Sequence, residues 1–134
     1  MTFKFEKLDV WQLALDYIDL MYKMADRLPT NENFNLKSQL TRAATSIALN
    51  IAEGSTGQSD AEQNRFLGMA VRSLIETVAC QRIINRRNYL TDKSILETAD
   101  NQAQSLARRL HAFRKALSKS TVREESALYE IEEI

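Results

Sequence analysis

Apolar residues recur along most of this chain at spacings of three and four, the pattern of helices that bury one face. Leu36, Leu40, Ala43, Ile47 and Ile51 predict a helix from about Asn35 to Glu53. Phe66, Ala70, Leu74, Val78 and Ile83 predict another from Ser59 to Arg86 or Arg87. Ile95, Leu96, Ala99, Ala103, Leu106, Leu110 and Phe113 predict a third, from about Asp92 to Leu117. The stretch from Asp9 to Leu28 differs, because it carries two apolar stripes. Trp11, Leu15, Ile18, Tyr22 and Ala25 form one; Val10, Leu13, Tyr17, Leu20 and Met24 form the other. A core-facing helix needs only one stripe, so the second predicts contact with another subunit or a wide internal crossing.

The punctuation agrees with these spans. Asp9 is expected to cap the first helix and Pro29 to stop it. Gly54 is expected to end the second helix in the left-handed conformation, followed by a loop to Gln58. Ser59 and Glu62 have capping-box spacing. Asn88 and Tyr89 predict a turn, and Thr91 a cap for the last helix. Strand-like alternation never persists for five residues outside Met1–Phe5. The expected fold is all-α: an antiparallel up-down four-helix bundle with short loops over residues 1–120. Residues 121–134 form an acidic tail with Leu128, Ile131 and Ile134 at three-residue spacing, expected to be a short docking helix or disordered.

Composition narrows the function. The 134 residues suit one domain, with 44% hydrophobic and 27% charged residues and only 3 Gly and 1 Pro. No apolar run exceeds three residues, so no membrane span is expected. Met1 to Leu8 has no apolar leader segment, and a cytoplasmic protein is expected. One cysteine, Cys80, excludes an internal disulfide framework and a cysteine-based zinc site. One histidine, His111, excludes a three-histidine metal centre within one chain. No metal or cofactor is therefore expected, and no small-molecule substrate.

Charge is balanced in total, with 18 basic and 18 acidic residues, but not along the chain. Residues 1–64 carry a net −3, residues 65–119 a net +7, and residues 120–134 a net −4. Such asymmetry points to a polyanion partner. The candidate nucleic-acid-binding residues are Arg82, Arg86 and Arg87 at the end of the third helix, with Arg108, Arg109, Arg114 and Lys115 on the fourth. In an antiparallel pair these two groups fall at opposite ends of the bundle. No helix-turn-helix, RNA-recognition or zinc-finger pattern accompanies them, so sequence-specific reading is not expected. The competing explanation is complementation of helix dipoles, which favour cations at helix C-termini.

The second helix carries a polar stripe beside its apolar one. Gln39, Arg42, Ser46, Asn50 and Glu53 fall within about 80° of one another at 100° per residue. Small residues, among them Ala43 and Ala44, interleave with them. Antiparallel packing brings Arg42 near Ser73 and Glu76 of the third helix. The expectation is a buried polar cluster that fixes helix register, with Arg42 and Glu76 as an ion pair. Catalysis is not expected, because Ser46 has only Arg42 and Asn50 within one turn and no base. Diiron chemistry would need Glu-x-x-His pairs, and none exists.

The run Gln39-Leu40-Thr41-Arg42-Ala43-Ala44-Thr45-Ser46-Ile47, continued by Asn50-Ile51-Ala52-Glu53-Gly54, resembles the signature of the bacterial four-helix bundle proteins known as 23S ribosomal RNA intervening-sequence proteins. Phe5, Leu8, Val10-Trp11, Leu28-Pro29, Phe34, Phe66-Leu67, Ala70, Ser73-Leu74, Glu76 and Tyr89-Leu90 match as well, so the resemblance covers about residues 3–117. One departure is Arg72, where the family often has Gly. The resemblance implies an up-down bundle assembled as a ring-shaped homopentamer, without catalytic activity. It also implies partners: RNA or DNA, or a reverse transcriptase, since a similar family assists the reverse transcriptase of diversity-generating retroelements. The alternative is a protein-interaction scaffold that binds no nucleic acid directly.

Overall fold

The computed structural model describes residues 2–57 and 59–132, with side-chain surroundings through Lys119. Four α-helices follow a short 3₁₀ turn at Lys4–Lys7. They are α1 (Asp9–Asp26), α2 (Leu36–Gly54), α3 (Asp60–Arg86) and α4 (Ser94–Glu132). A second 3₁₀ turn, Thr30–Glu32, joins α1 to α2. Each helix packs against its two neighbours in the cyclic order α1, α2, α3, α4. The α1–α2 flank and the α3–α4 flank therefore lie on opposite sides of the bundle. Side chains of the acidic tail, including Leu128, Ile131 and Ile134, lie outside the described residues.

Side-chain contacts show the antiparallel order. Lys37 at the start of α2 lies 3.7 Å from Asp26 at the end of α1. Arg82 near the end of α3 meets Asp100 near the start of α4 at 2.7 Å. Arg109, well along α4, pairs with Asp9 at the start of α1. Such exposed pairs align helices while adding little stability.

Tyr17, Met21, Leu40, Ile47, Leu67, Leu74, Ile84, Leu106 and Leu110 are fully buried at the centre. In α1 the buried residues are Val10, Ala14, Tyr17, Met21, Met24 and Ala25, which join members of the second expected stripe to Ala25 of the first and to Ala14 and Met21 of neither. The rest of the first stripe stays closer to the surface, with Trp11 half-buried and edge-on to Phe5 at 4.6 Å. The α3 face runs through Leu67, Ala70, Leu74, Thr77, Gln81 and Ile84. Ile83, expected in the stripe, is 50% exposed.

Several helix ends differ from expectation. Leu8, not Asp9, is the N-cap of α1, and Asp9 as first helical residue is free to meet Arg109. Gly54 is the last residue of α2 and is not left-handed; Gly57 takes positive φ instead, at 88°. Gly54 is needed for close approach, since a Cβ there would lie 2.9 Å from Cβ of Phe66 on α3. Two ends match. The Ser59 hydroxyl accepts from the Glu62 amide at 3.1 Å. Asn88 ends α3 with φ 57°, a left-handed position that asparagine tolerates. Before α4 the cap is not Thr91 but the Asp92 carboxylate, which accepts from the Ser94 amide at 2.9 Å, and α4 runs on without a break to Glu132, past the expected end at Leu117.

Candidate functional site

The basic residues divide as antiparallel packing requires. Arg82, Arg86 and Arg87 lie at one end, near the α1–α2 turn; Arg109 and Arg114 lie toward the other, against the starts of α1 and α3. Several have partners within the chain. Arg82 pairs with Asp100, and that contact holds the Asp100 carboxyl below its ordinary range. Arg109 pairs with Asp9. Arg87 lies over the Tyr89 ring at 5.8 Å, and the Tyr89 hydroxyl donates to Glu32 at 2.7 Å. Arg86, Arg108 and Lys115 are exposed and pair with no carboxylate among the described residues. Phe34, wholly exposed, projects from the turn before α2.

Arg114 is placed differently. It is half-buried between α3 and α4, and its Nε donates to Asn64 Oδ1 at 2.8 Å. Asn64 in turn donates from Nδ2 to Ser118 Oγ at 3.0 Å. The guanidinium rests beside Gly68.

Two apolar patches lie on opposite flanks. On the α1–α2 side, Tyr22 and Leu49 are 47% and 59% exposed and border a depression of about 450 Å³ with Thr41, Arg42, Thr45 and Ser46. The Tyr22 hydroxyl reaches Thr45 Oγ1 at 3.3 Å. On the α3–α4 side, Ile75 is 61% exposed and overhangs a groove of about 180 Å³ lined by Val71, Val78, Ala103 and Ala107. The Arg82–Asp100 pair and His111 stand on its rim.

The polar stripe of α2 is not buried as expected. Gln39, Arg42 and Glu53 are exposed, while Ser46, Asn50 and Ser73 are half-buried. Ser73 Oγ donates to Ser46 Oγ at 3.0 Å, and Asn50 Nδ2 donates to Ser46 Oγ at 3.1 Å. Gln39 bonds instead to Asn35 at 3.1 Å. The expected Arg42–Glu76 pair does not form among the described residues. Glu76 faces outward on α3 beside Ile75, and Arg42 faces outward on α2 beside Leu49, so water solvates both. Arg72, which departs from the family pattern, is also exposed.

The buried polar residues lie elsewhere. Gln81 Nε2 donates to the Tyr17 hydroxyl at 2.6 Å, and that hydroxyl lies 2.7 Å from Thr77 Oγ1. Thr77 donates onward to the Leu74 carbonyl at 2.6 Å. Burial pushes the Tyr17 phenol above its ordinary range, and the bonds to Thr77 and Gln81 only partly oppose this. A second buried contact joins Gln63 to Ser55 at 3.2 Å, closing the α2–α3 loop. The spacing of Thr77 and Gln81, one helical turn apart within the α3 core face, is the one signal that would have found the first network. Cys80 is buried, and burial raises its thiol pKa, with Glu76 adding to the shift.

Among the described residues no three His, Cys, Asp or Glu side chains gather as a metal site. No described helix is long and apolar enough to cross a membrane.

The family model for the 23S rRNA-intervening sequence protein matches residues 6–112. The chain belongs to this family. Its fold is that of a solved relative, a protein of unknown function from the S23 ribosomal protein family of Bacteroides thetaiotaomicron. The two superpose with a TM-score of 0.72 at 24% identity, over 79% of this chain and 98% of the other. No curated protein matches the chain. None of these matches indicates an enzyme family.

Proposed function

We propose that this member of the intervening-sequence protein family is a non-enzymatic building block that assembles through its two apolar flanks and associates with RNA or a nucleoprotein. The observation that carries assembly is the pair of unlike apolar patches on opposite sides, around Leu49 and around Ile75. One patch seated on the other is a head-to-tail contact, and repeated head-to-tail contacts close into a ring when the rotation allows. The family resemblance implies a ring of five copies.

Assembly also supports the nucleic-acid reading. A single chain is neutral and several of its arginines are internally paired, so one copy is a weak polyanion ligand. A ring repeats Arg86, Arg108, Arg114 and Lys115 around one axis. If each of five copies neutralises one phosphate, the logarithm of affinity falls by about 4–5 per decade of salt. Association with a reverse transcriptase is the branch in which that nucleoprotein is the partner. The reading is tested by titrating structured RNA with the full chain across a salt series. Binding with that slope is expected. Absence of binding at low salt would leave the second reading, a scaffold for protein partners, which the internal pairing of Arg82 and Arg109 favours.

A further inference from the structure

Gly68 stands inside α3, where glycine costs about 1 kcal/mol relative to alanine. Its surroundings account for it. A Cβ at this position would lie 3.0 Å from Cζ and from Nη2 of Arg114 and 3.2 Å from Nη1. Three nearly equal distances mean that the guanidinium turns its flat face to the bare backbone of α3. The Asn64 carbonyl takes the Nε proton at 2.8 Å, and Ser118 steadies the Asn64 amide. One position of the guanidinium is thus committed internally, and the plane is fixed between two helices.

Neither Nη1 nor Nη2 of Arg114 has an acceptor among the described residues, and no described carboxylate pairs with it. Two parallel N–H groups held in one plane are the geometry that binds two oxygens of one oxyanion. A lysine ammonium has three donors but no planar fork, so it could bond Asn64 yet could not offer two parallel N–H groups to one oxyanion. The setting selects the anion. Between Asn101 and Lys119, α4 carries no acidic residue and, besides Arg109 held by Asp9, has Arg108, Arg114, Lys115 and Lys119. A lone carboxylate needs one cation; a row of cations suits a repeating phosphate chain.

We propose that Arg114, clamped by Asn64 over Gly68, is a preorganised fork for one phosphodiester group of an RNA backbone. This rests on the RNA association proposed above and names the residues that anchor it. Because the side chain is already ordered, binding loses less conformational entropy there than at an exposed arginine. Gly68 has no charge of its own, so its part is to let the guanidinium lie where it does.

The test uses the full chain and a labelled RNA hairpin, titrated at several salt concentrations, with assembly mass and thermal stability measured alongside. Gly68→Ala should keep or raise stability, because only the flexible end of Arg114 must move. It should nevertheless weaken RNA binding by about tenfold. Arg114→Gln should weaken binding at least as much and reduce the salt slope by about 0.9 per lost phosphate contact. Arg114→Lys, which keeps the charge, should restore the slope but not the affinity. Arg72→Gln removes one exposed charge from α3 and should weaken binding less than Gly68→Ala. RNA bound at full affinity by both Gly68→Ala and Arg114→Gln would overturn the fork while leaving RNA association intact. A wild-type chain that binds no RNA at low salt would overturn both. Variants that alter the assembly mass and not RNA affinity would assign Arg114 to a carboxylate of a neighbouring copy, which also overturns the proposal.

Discussion

Gln81 on α3 donates a hydrogen bond to the hydroxyl of Tyr17 on α1 at 2.6 Å, across the diagonal of the bundle. Because Thr77 gives its proton to the Leu74 carbonyl, Tyr17 must give its own to Thr77. The bonds therefore run in one direction, from amide to phenol to threonine to backbone. Such a chain fits one register of α1 against α3, and a helix slipped by one turn would leave buried groups unpaired.

Tyr17→Phe should destabilise the fold by about 1–3 kcal/mol, since Gln81 loses its acceptor and Thr77 its donor in a fully buried site. Denaturant unfolding measures this. Replacing Tyr17, Thr77 and Gln81 together by apolar residues of similar size should cost less than the sum of the single changes.

The same phenol predicts an alkaline limit. Its folded-state pKa is raised above the ordinary value of 10.0 by burial. A raised folded-state value means that the contribution is fully present below pH 10.0 and is lost as pH rises through the folded-state value. The stability difference between wild type and Tyr17→Phe should therefore shrink above that pH. A constant difference across the alkaline range would show that Tyr17 is not desolvated.

Arg42→Met should change stability by less than about 0.5 kcal/mol, because Arg42 and Glu76 are both exposed. A buried pair would have made the same change cost about 3–5 kcal/mol. By contrast, Ser46→Ala and Ser73→Ala should couple in a double-mutant cycle, by roughly 0.5–1.5 kcal/mol. The fluorescence or circular-dichroism unfolding of five proteins, wild type, Arg42→Met, the two serine variants and their double, decides both points.

Gly54→Ala should destabilise by about 1–3 kcal/mol, because its methyl would meet the Phe66 Cβ, which is fixed to α3 rather than at the end of a flexible side chain. Thermal unfolding reads this directly. It contrasts with Gly68→Ala, where the obstacle is the movable tip of Arg114.

Helix number and order, and the spans of α1 to α3, are legible in the sequence because three- and four-residue periodicity is set by burial, and burial is what folds the bundle; α4 continues to Glu132, beyond the last residue of its apolar stripe. The polar contacts were less legible. Ser46 and Ser73 fall on the expected faces and meet, while Asn50, expected near Asn64, bonds to Ser46 instead. Arg42 and Glu76 each stand one turn along from Ser46 and Ser73 and about 40–60° around the helix, enough to expose them and too little for spacing alone to resolve. Tyr17, Thr77 and Gln81 are not legible as a network, because tyrosine looks like a core residue and single polar residues are common on helices. Gly54 and Gly68 were opaque for another reason. Their role is defined by what touches them, Phe66 and Arg114, and neither partner is near in sequence.

The proposed head-to-tail joining of unlike flanks is decided by a mixing experiment measured by light scattering. Wild type should scatter as a multiple of the 15.3 kDa chain. Leu49→Asp spoils the α1–α2 patch and Ile75→Asp the α3–α4 patch, so each variant alone should be a monomer. Mixed in equal amounts, they retain one good patch of each kind and should form a two-chain species that grows no further. A wild-type chain that remains at 15.3 kDa, or a mixture that remains monomeric while wild type assembles, would contradict the account.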